Sequence, residues 1–500
     1  MAPTEQTPLV LDGMFPGHQK AKPAPPGAGY GALLARAVCL GSSVAEGYDL
    51  GIFSVTILPV VREFGLHPWQ VSLLAGVPAL SVCFGTSIAG FVMDRIGRKP
   101  VIAASYVLLV IGSIAFASAN GFMSLLVSRC VLMVGCSVGM VAVTVYMAEI
   151  APTKMRGMLV SLEELAINVG LLTALFTGHW VLGRADLGWR VVAGLGALLP
   201  AFCLSCLSVL AVPESARFKE MQGRHREARV ILKELFADDP DEIETTLKVW
   251  EAQAETQAAL KAEAEKRTTY ETVVFKCRLL IQQSIGIATS ILVMKVLSGH
   301  AVIGAYIVMF MADSMGESQA LEWAVGMQVM KLVGLVPACF WLLDKYGRRP
   351  LLIASAIGCM IGLATVAGGF QMGLKSWVIG CGFLCYALFF SIGLGPVVPV
   401  YVAEILPTNV RGVAMGMIII PARIVDVFLL SSAPILFNMG PALLFGAFVF
   451  SNFVGMIFFF MCCPETSGVM LEDVSSVLVH HLTPKGIKRI KKPKGMRQEA

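Results

Sequence analysis

Apolar stretches long enough to cross a bilayer recur along this chain, and no other feature restricts its fold as strongly. A helix needs roughly 20 residues to span the ~30 Å hydrocarbon core. Twelve such stretches stand near residues 33–60, 70–93, 100–119, 122–148, 158–183, 190–212, 278–308, 320–343, 351–371, 375–403, 413–437 and 441–463. An amphipathic tract and polar loop over 298–319 is expected to follow the seventh. Only 15% of the residues are charged and 56% are hydrophobic, with a mean hydropathy of +0.74. Soluble domains carry about 25% charged residues, so the reading is an all-α polytopic membrane protein.

Residues 1–31 are polar and rich in Pro and Gly, with no apolar run of the kind a cleavable signal carries. They are expected to form a disordered cytosolic tail. The thirteen cysteines are scattered, mostly in the spans, and the one Cys-x-x-Cys spacing, Cys203–Cys206, lies inside the apolar span 6 with no second pair to match it. They read as small apolar helix residues, not as a disulfide or metal framework.

Most Lys and Arg fall in the links after spans 2, 4, 6, 8 and 10 and in the C-terminal tail, as in 94-DRIGRK-99, 344-DKYGRR-349 and 485-KGIKRIKKPKGMR-497. The positive-inside rule places these links, and both termini, in the cytosol. The net charge of +5 is then loop topology, and the partner it suits is the anionic leaflet of a lipid bilayer, not nucleic acid.

Three motifs occur twice, in the same order and at nearly one interval. Asp94-Arg95-Ile96-Gly97-Arg98-Lys99 returns as Asp344-Lys345-Tyr346-Gly347-Arg348-Arg349. Ala148-Glu149-Ile150 through Arg156-Gly157 returns as Ala403-Glu404-Ile405 through Arg411-Gly412. Pro213-Glu214-Ser215 returns as Pro464-Glu465-Thr466. The chain therefore divides into a six-helix bundle over 32–213, a charged, helix-prone cytosolic linker over 214–270, a second six-helix bundle over 271–464 and a basic tail over 465–500. Two such halves imply a site near the midplane between them.

The set Gly90…Asp94-Arg95-x-Gly97-Arg98-Lys99 resembles the loop signature of the major facilitator superfamily. Arg129…Gly135…Gly139…Tyr146…Glu149…Arg156-Gly157, Pro213-Glu214-Ser215-Ala216-Arg217-Phe218, Gln282-Gln283…Gly286, Gly395-Pro396…Glu404 and Pro464-Glu465-Thr466 resemble its sugar porter family. Span 5 and its exit, Glu164…Asn168…Gly170 and Leu187-Gly188-Trp189-Arg190, look most like the proton-coupled polyol and monosaccharide transporters. The resemblance implies two pseudo-symmetric six-helix bundles, alternating access, a monosaccharide or polyol moved with a proton, a monomeric functional unit and a place in the plasma membrane. It implies no cofactor. The one Gly-x-Ser-x-Gly match, Gly135–Gly139, lies inside the apolar span 4 and not at a strand-to-helix turn, and no His-Glu-x-x-His or P-loop motif is present, so an enzyme is not expected.

Charges at membrane depth mark the candidate site, because they are costly there and face a cavity or one another. Asp49 and Arg129 lie about 25 and about 30 Å above the cytosolic ends of spans 1 and 4 at 1.5 Å per residue, so they can meet. By resemblance they are the proton-coupling pair, and Glu46, one turn from Asp49, shares that face. Gln282 and Gln283 offer donors and acceptors suited to sugar hydroxyls, and the resemblance makes them substrate ligands. Of Glu163 and Glu164, about 11–12 Å into span 5, only one can face the cavity, and Glu164, with Asn168 a turn beyond, matches the family position. Arg423 and Asp426 stand a turn apart near the midplane of span 11, and Lys331 lies in span 8 beside Leu332, the position where the family carries an Asn.

Asp94, Arg95, Arg98, Glu149, Arg156, Glu214 and Arg217 in the first half, with Asp344, Arg348, Arg349, Glu404, Arg411 and Glu465 in the second, are expected to form a cytosolic gate of directional Arg–carboxylate bonds. Several family positions depart from a glucose site: Ala288, Met294 and Lys295 after the Gln pair, Leu332 beside Lys331, and Pro399 and Thr144 in place of a Trp and a Pro. These departures count against simple hexose specificity, and Glu164, Lys295, Lys331, Arg423 and Asp426 support a charged or zwitterionic metabolite as the alternative cargo, with a non-transporting nutrient sensor as a third reading.

Overall fold

The computed structural model describes residues 30–150, 156–182, 188–209, 212–236, 243–244, 246–248, 250, 271–406 and 411–466. At 30–33, 156–161, 271–283, 344, 403 and 411–416 it describes the backbone alone. Both terminal tails beyond these limits and most of the expected linker lie outside the described residues.

Among the described residues, twelve helical segments are long and apolar enough to cross a membrane. The first half contains α1 (Tyr30–Phe64), α2 (Pro68–Ile96), α3 (Arg98–Ala117), α4 (Phe122–Ile150), α5 (Arg156–Leu182) and the pair α6 (Gly188–Leu195) and α7 (Leu198–Val209), followed by the short α8 (Ala216–Met221) and α9 (His225–Leu235). The second contains α10 (Glu271–Leu297), α11 (His300–Met315), α12 (Glu317–Pro337), α13 (Leu343–Tyr346), α14 (Arg348–Gln371), α15 (Ser376–Ile392), α16 (Val397–Ile405), α17 (Arg411–Met439) and α18 (Pro441–Cys462). A π-helical turn, Ala338–Leu342, joins α12 to α13.

The polar loop expected over 298–319 is corrected. Residues 300–315 form α11, which together with α10 makes one crossing, Ser284–Met315. The run AVIGAYIVMFMA is apolar on every face and so belongs in lipid or protein as helix. The interruption is confined to Ser298 and Gly299, and Gly299 takes φ 88°, a left-handed conformation that a side chain disfavours. The return to α12 is similarly tight, at Gly316 with φ 83°.

Large apolar side chains such as Phe84, Phe91, Phe428 and Phe450 are exposed on the outside of the bundle, as a lipid-facing surface requires. Helices inside it approach through small residues. A Cβ on Gly47 of α1 would lie 1.9 Å from the Ile167 carbonyl oxygen of α5, so only glycine lets these two backbones pack.

The duplicated motifs sit at one end of the molecule, here termed the motif end, and build the same device twice. Gly97 and Gly347 adopt φ 101° and 83°, which turns the following amides toward one carboxylate. Glu214 accepts from the Arg98 and Lys99 amides at 3.0 and 3.2 Å. Glu465 accepts from the Arg348 and Arg349 amides at 2.9 and 3.1 Å. Arg98 then grips Glu149 through Nε and Nη2, both at 3.0 Å, and Arg348 reaches Glu404 at 2.9 Å. Ser215 and Thr466 close the two rings by donating to Glu149 and Glu404. Each ring ties the start of one helix, the end of a second and the segment after a third, all within one half.

Candidate functional site

The contacts between the halves join α1 to α11, α2 to α17 and α5 to α12. At the end away from the motifs, Arg62 and Glu317 form an ion pair of 2.8 Å. Deeper, the Phe53 ring meets Tyr306 edge-on at 5.8 Å. Gly76 of α2 lets Ser431 of α17 come so near that a Cβ would stand 1.8 Å from its Oγ. At mid-depth Gln328 of α12 donates its amide to the Asn168 side-chain oxygen at 2.8 Å. These contacts close the bundle from the non-motif end down to its middle.

Between the halves lies a cavity of about 360 Å³, a size that suits a small organic molecule. Its first-half wall includes Glu46, Phe53, Arg129, Cys136, Glu164 and Asn168; its second-half wall includes Lys295, His300, Lys331, Phe390, Arg423 and Asp426. Five of the sequence-derived candidates thus share one space with Glu46 and Arg129.

Asp49 and Arg129 meet as their depths require: Arg129 Nη1 lies 3.3 Å from both Asp49 oxygens, with the residues only 3% and 4% exposed. The guanidinium also lies over the Phe53 ring, 4.8 Å from its centroid, and the Cys136 thiol donates to Asp49 at 3.6 Å. Glu46, buried a turn away, accepts from Ser42 at 3.4 Å. Arg423 and Asp426 pair at 3.1 Å within α17. Glu164 faces the cavity, whereas Glu163 is buried and accepts from Thr144 of α4 at 2.7 Å.

Gln282 and Gln283 lie on α10, but their side chains are outside the described residues, as are those of Arg156, Asp344 and Arg411. Of the expected gate, Asp94 approaches Arg98 at 3.7 Å from an exposed position. Arg95 lies over the Phe91 ring at 4.0 Å, away from the carboxylates. Arg217 stands on α8, beside the Glu214 ring, and Arg349 donates through Nη2 to the Phe460 carbonyl at 2.5 Å.

Sequence reasoning did not select Gln328 or His300 for the site, and it noted Lys295 only as a departure that suits a charged cargo. Gln328 is fully buried, and an amide three residues before Lys331 in an apolar helix was the signal for it. His300 stacks on Phe390 at 5.2 Å and its place follows from the two-residue break at Ser298 and Gly299, where the sequence reading put a polar loop.

The model of the family "Sugar (and other) transporter" matches residues 34–478. The chain is 29% identical over 459 residues to "Probable polyol transporter 3" of Arabidopsis thaliana, covering 87% of this chain and 89% of that protein. It is 28% identical to "Glucose transporter GlcP" of Staphylococcus epidermidis over 443 residues, 86% of this chain and 93% of that one. In fold it is similar to the E. coli xylose transporter XylE in a partially occluded inward open conformation, with a TM-score of 0.71, 21% identity and coverage of 88% and 99%.

Proposed function

The chain belongs to the sugar (and other) transporter family, and from that premise we propose that it moves a monosaccharide or polyol across a membrane by proton symport with alternating access. The observation that carries this reading is the meeting of Asp49 and Arg129 beside a cavity between two six-helix halves. A carboxylate held by a fixed cation in a dry setting can exchange a proton as the cation moves. Asp49, Arg129 and Glu46 are the proton-coupling group in this account.

Gln282, Gln283, Glu164, Asn168, Lys331, Arg423 and Asp426 are assigned to the substrate, whose hydroxyls need donors and acceptors together. The two carboxylate rings at the motif end keep each half rigid while one half rocks against the other, which is how they contribute to gating. Positive charge in the loops supports a cytosolic motif end, with both termini cytosolic, and a monomer in the plasma membrane is the working unit.

The experiment is uptake of labelled hexoses and hexitols in cells lacking their own sugar transporters, with and without an inward pH gradient. Saturable uptake that rises with external acid and collapses with a protonophore is expected. Protein at the cell surface that moves no solute overturns transport and favours a sensor.

A further inference from the structure

The charges around the cavity are unevenly placed, and their separation bears on the cargo: the second-half wall carries Lys295, Lys331 and Arg423 against Asp426, while the first-half side carries Asp49, Glu46 and Glu164 against Arg129. Arg129 is neutralised by Asp49 at 3.3 Å, and Arg423 by Asp426 at 3.1 Å. Glu46 stands on α1 with Asp49, on the opposite wall. Two ammonium groups remain on the second-half wall, Lys295 and Lys331; Glu164 of α5 acts on both across the cavity, and Lys295 also lies in the field of Asp426 and Arg423.

Lys331 is 9% exposed, and among the described residues it has no hydrogen-bond partner or ion pair. Lys295 donates to a single acceptor, the Gly395 carbonyl oxygen at 3.3 Å. An ammonium carries three donors, so most of the donors on these two groups point into the cavity unused. Leaving a buried charge without a partner at membrane depth is expensive, and a neutral sugar would not relieve it.

The broken seventh crossing adds to the same field. At Ser298 and Gly299 the carbonyl end of α10 is capped by side chains: Leu297 O accepts from Ser451 at 2.6 Å, Lys295 O from Ser298 at 2.6 Å, and Ser298 O from Tyr386 at 3.3 Å. The opposite end of the break, the N-terminus of the sixteen-residue α11, has Gly299 as its N-cap and no side-chain cap. His300, Ala301 and Gly304 of its first turns line the cavity. The end of α10 that would repel an anion is thus covered, and the end of α11 that attracts one is open.

We propose that the cargo is a polyhydroxy monocarboxylate, an acid built on the skeleton of a sugar or polyol, with its carboxylate held by Lys331 and Lys295 at the N-terminus of α11. This rests on the transport reading above and specifies its substrate class. Asn168 and Glu164 face the hydroxylated end from the first half, and the added negative charge offsets part of the excess of cations on the second-half wall. The bound carboxylate then joins Glu164 as a counter-ion of the lysines.

The test uses the full-length protein reconstituted in proteoliposomes, with gluconate, glucuronate, sorbitol, glucose and glucose 6-phosphate as probes under an imposed pH gradient. Gluconate or glucuronate is expected to be taken up with a KM at least about 10-fold below that of sorbitol, since a buried charge pair outweighs a neutral contact. Lys331→Met should raise the ratio of acid KM to polyol KM about 30-fold or more, and Lys331→Arg should recover much of it. Should Lys331→Met not fold, Lys295→Met and a thermal shift of the wild-type protein by gluconate against sorbitol give the same comparison. Uptake of sorbitol or glucose that gluconate and glucuronate neither share nor inhibit overturns the proposal and leaves the transport reading standing. Preference for glucose 6-phosphate over both acids also overturns it, and uptake of none of the probes removes both readings.

Discussion

Arg129 holds Nη1 3.3 Å from each carboxylate oxygen of Asp49, across 80 residues of sequence and inside a wall of the central cavity. The guanidinium is not fully satisfied, because its Nε has no hydrogen-bond partner among the described residues. The pair is therefore held in place while retaining an unused donor. Asp49→Asn should abolish accumulation driven by a pH gradient and leave exchange of labelled for unlabelled substrate measurable. Asp49→Ala, which strands a buried guanidinium, should in addition lower stability by about 3–5 kcal/mol, read as a fall in Tm in detergent. Undiminished accumulation by Asp49→Asn would remove this residue from coupling.

The two carboxylate rings at the motif end make a prediction about independence. Arg98 and Glu149 touch through two hydrogen bonds, whereas Arg98 and Arg348 belong to separate rings in separate halves. A double-mutant cycle on Arg98→Gln and Glu149→Gln should give a coupling of about 1–3 kcal/mol by thermal or denaturant unfolding. Arg98→Gln combined with Arg348→Gln should be additive within about 0.5 kcal/mol. Strong coupling between the two arginines would mean that the rings act as one unit spanning both halves.

At the opposite end, Arg62 and Glu317 join the halves through exposed side chains. Arg62→Glu places like charges together and should favour opening at that end, by about fivefold in population, the scale of an exposed pair. Faster amide hydrogen exchange at the α1–α2 turn and the first turn of α12 is the expected readout. The reversed pair, Arg62→Glu with Glu317→Arg, should return exchange to the wild-type rate, and a double variant no slower than the single one would assign the closure to Phe53 and Tyr306 alone.

Depth was legible in the sequence because a helix rises by a constant amount per residue. That is why Asp49 and Arg129 could be matched from their distances to the span ends, and why Arg423 could be placed at the midplane. The choice of Glu164 over Glu163 followed from the 100° between neighbouring positions once the family likeness indicated which of them faces inward. The break at Ser298 and Gly299 was read as the start of a long polar loop, because polar residues stand on both sides of the short apolar run that forms α11. Gln328 was missed because its role is made by Asn168 in the other half, and nothing local in α12 announces that partner.

By itself the sequence determined the number of crossings, their common secondary structure and the division into two like halves, since water, lipid and the backbone's need for hydrogen bonds leave a long apolar chain few alternatives. The repeated motifs announced Arg–carboxylate contacts at one end, but which of their residues close the rings, Ser215 and Thr466 among them, came from the packing. Only the tertiary structure decided which side of each helix faces the cavity. In a bilayer both the lipid-facing and the buried surfaces are apolar, so hydrophobic periodicity does not separate them. The gathering of Lys295 and Lys331 on one wall, with Glu164 across the cavity, arises from that packing, through the rotation of α5, α10 and α12 about their own axes.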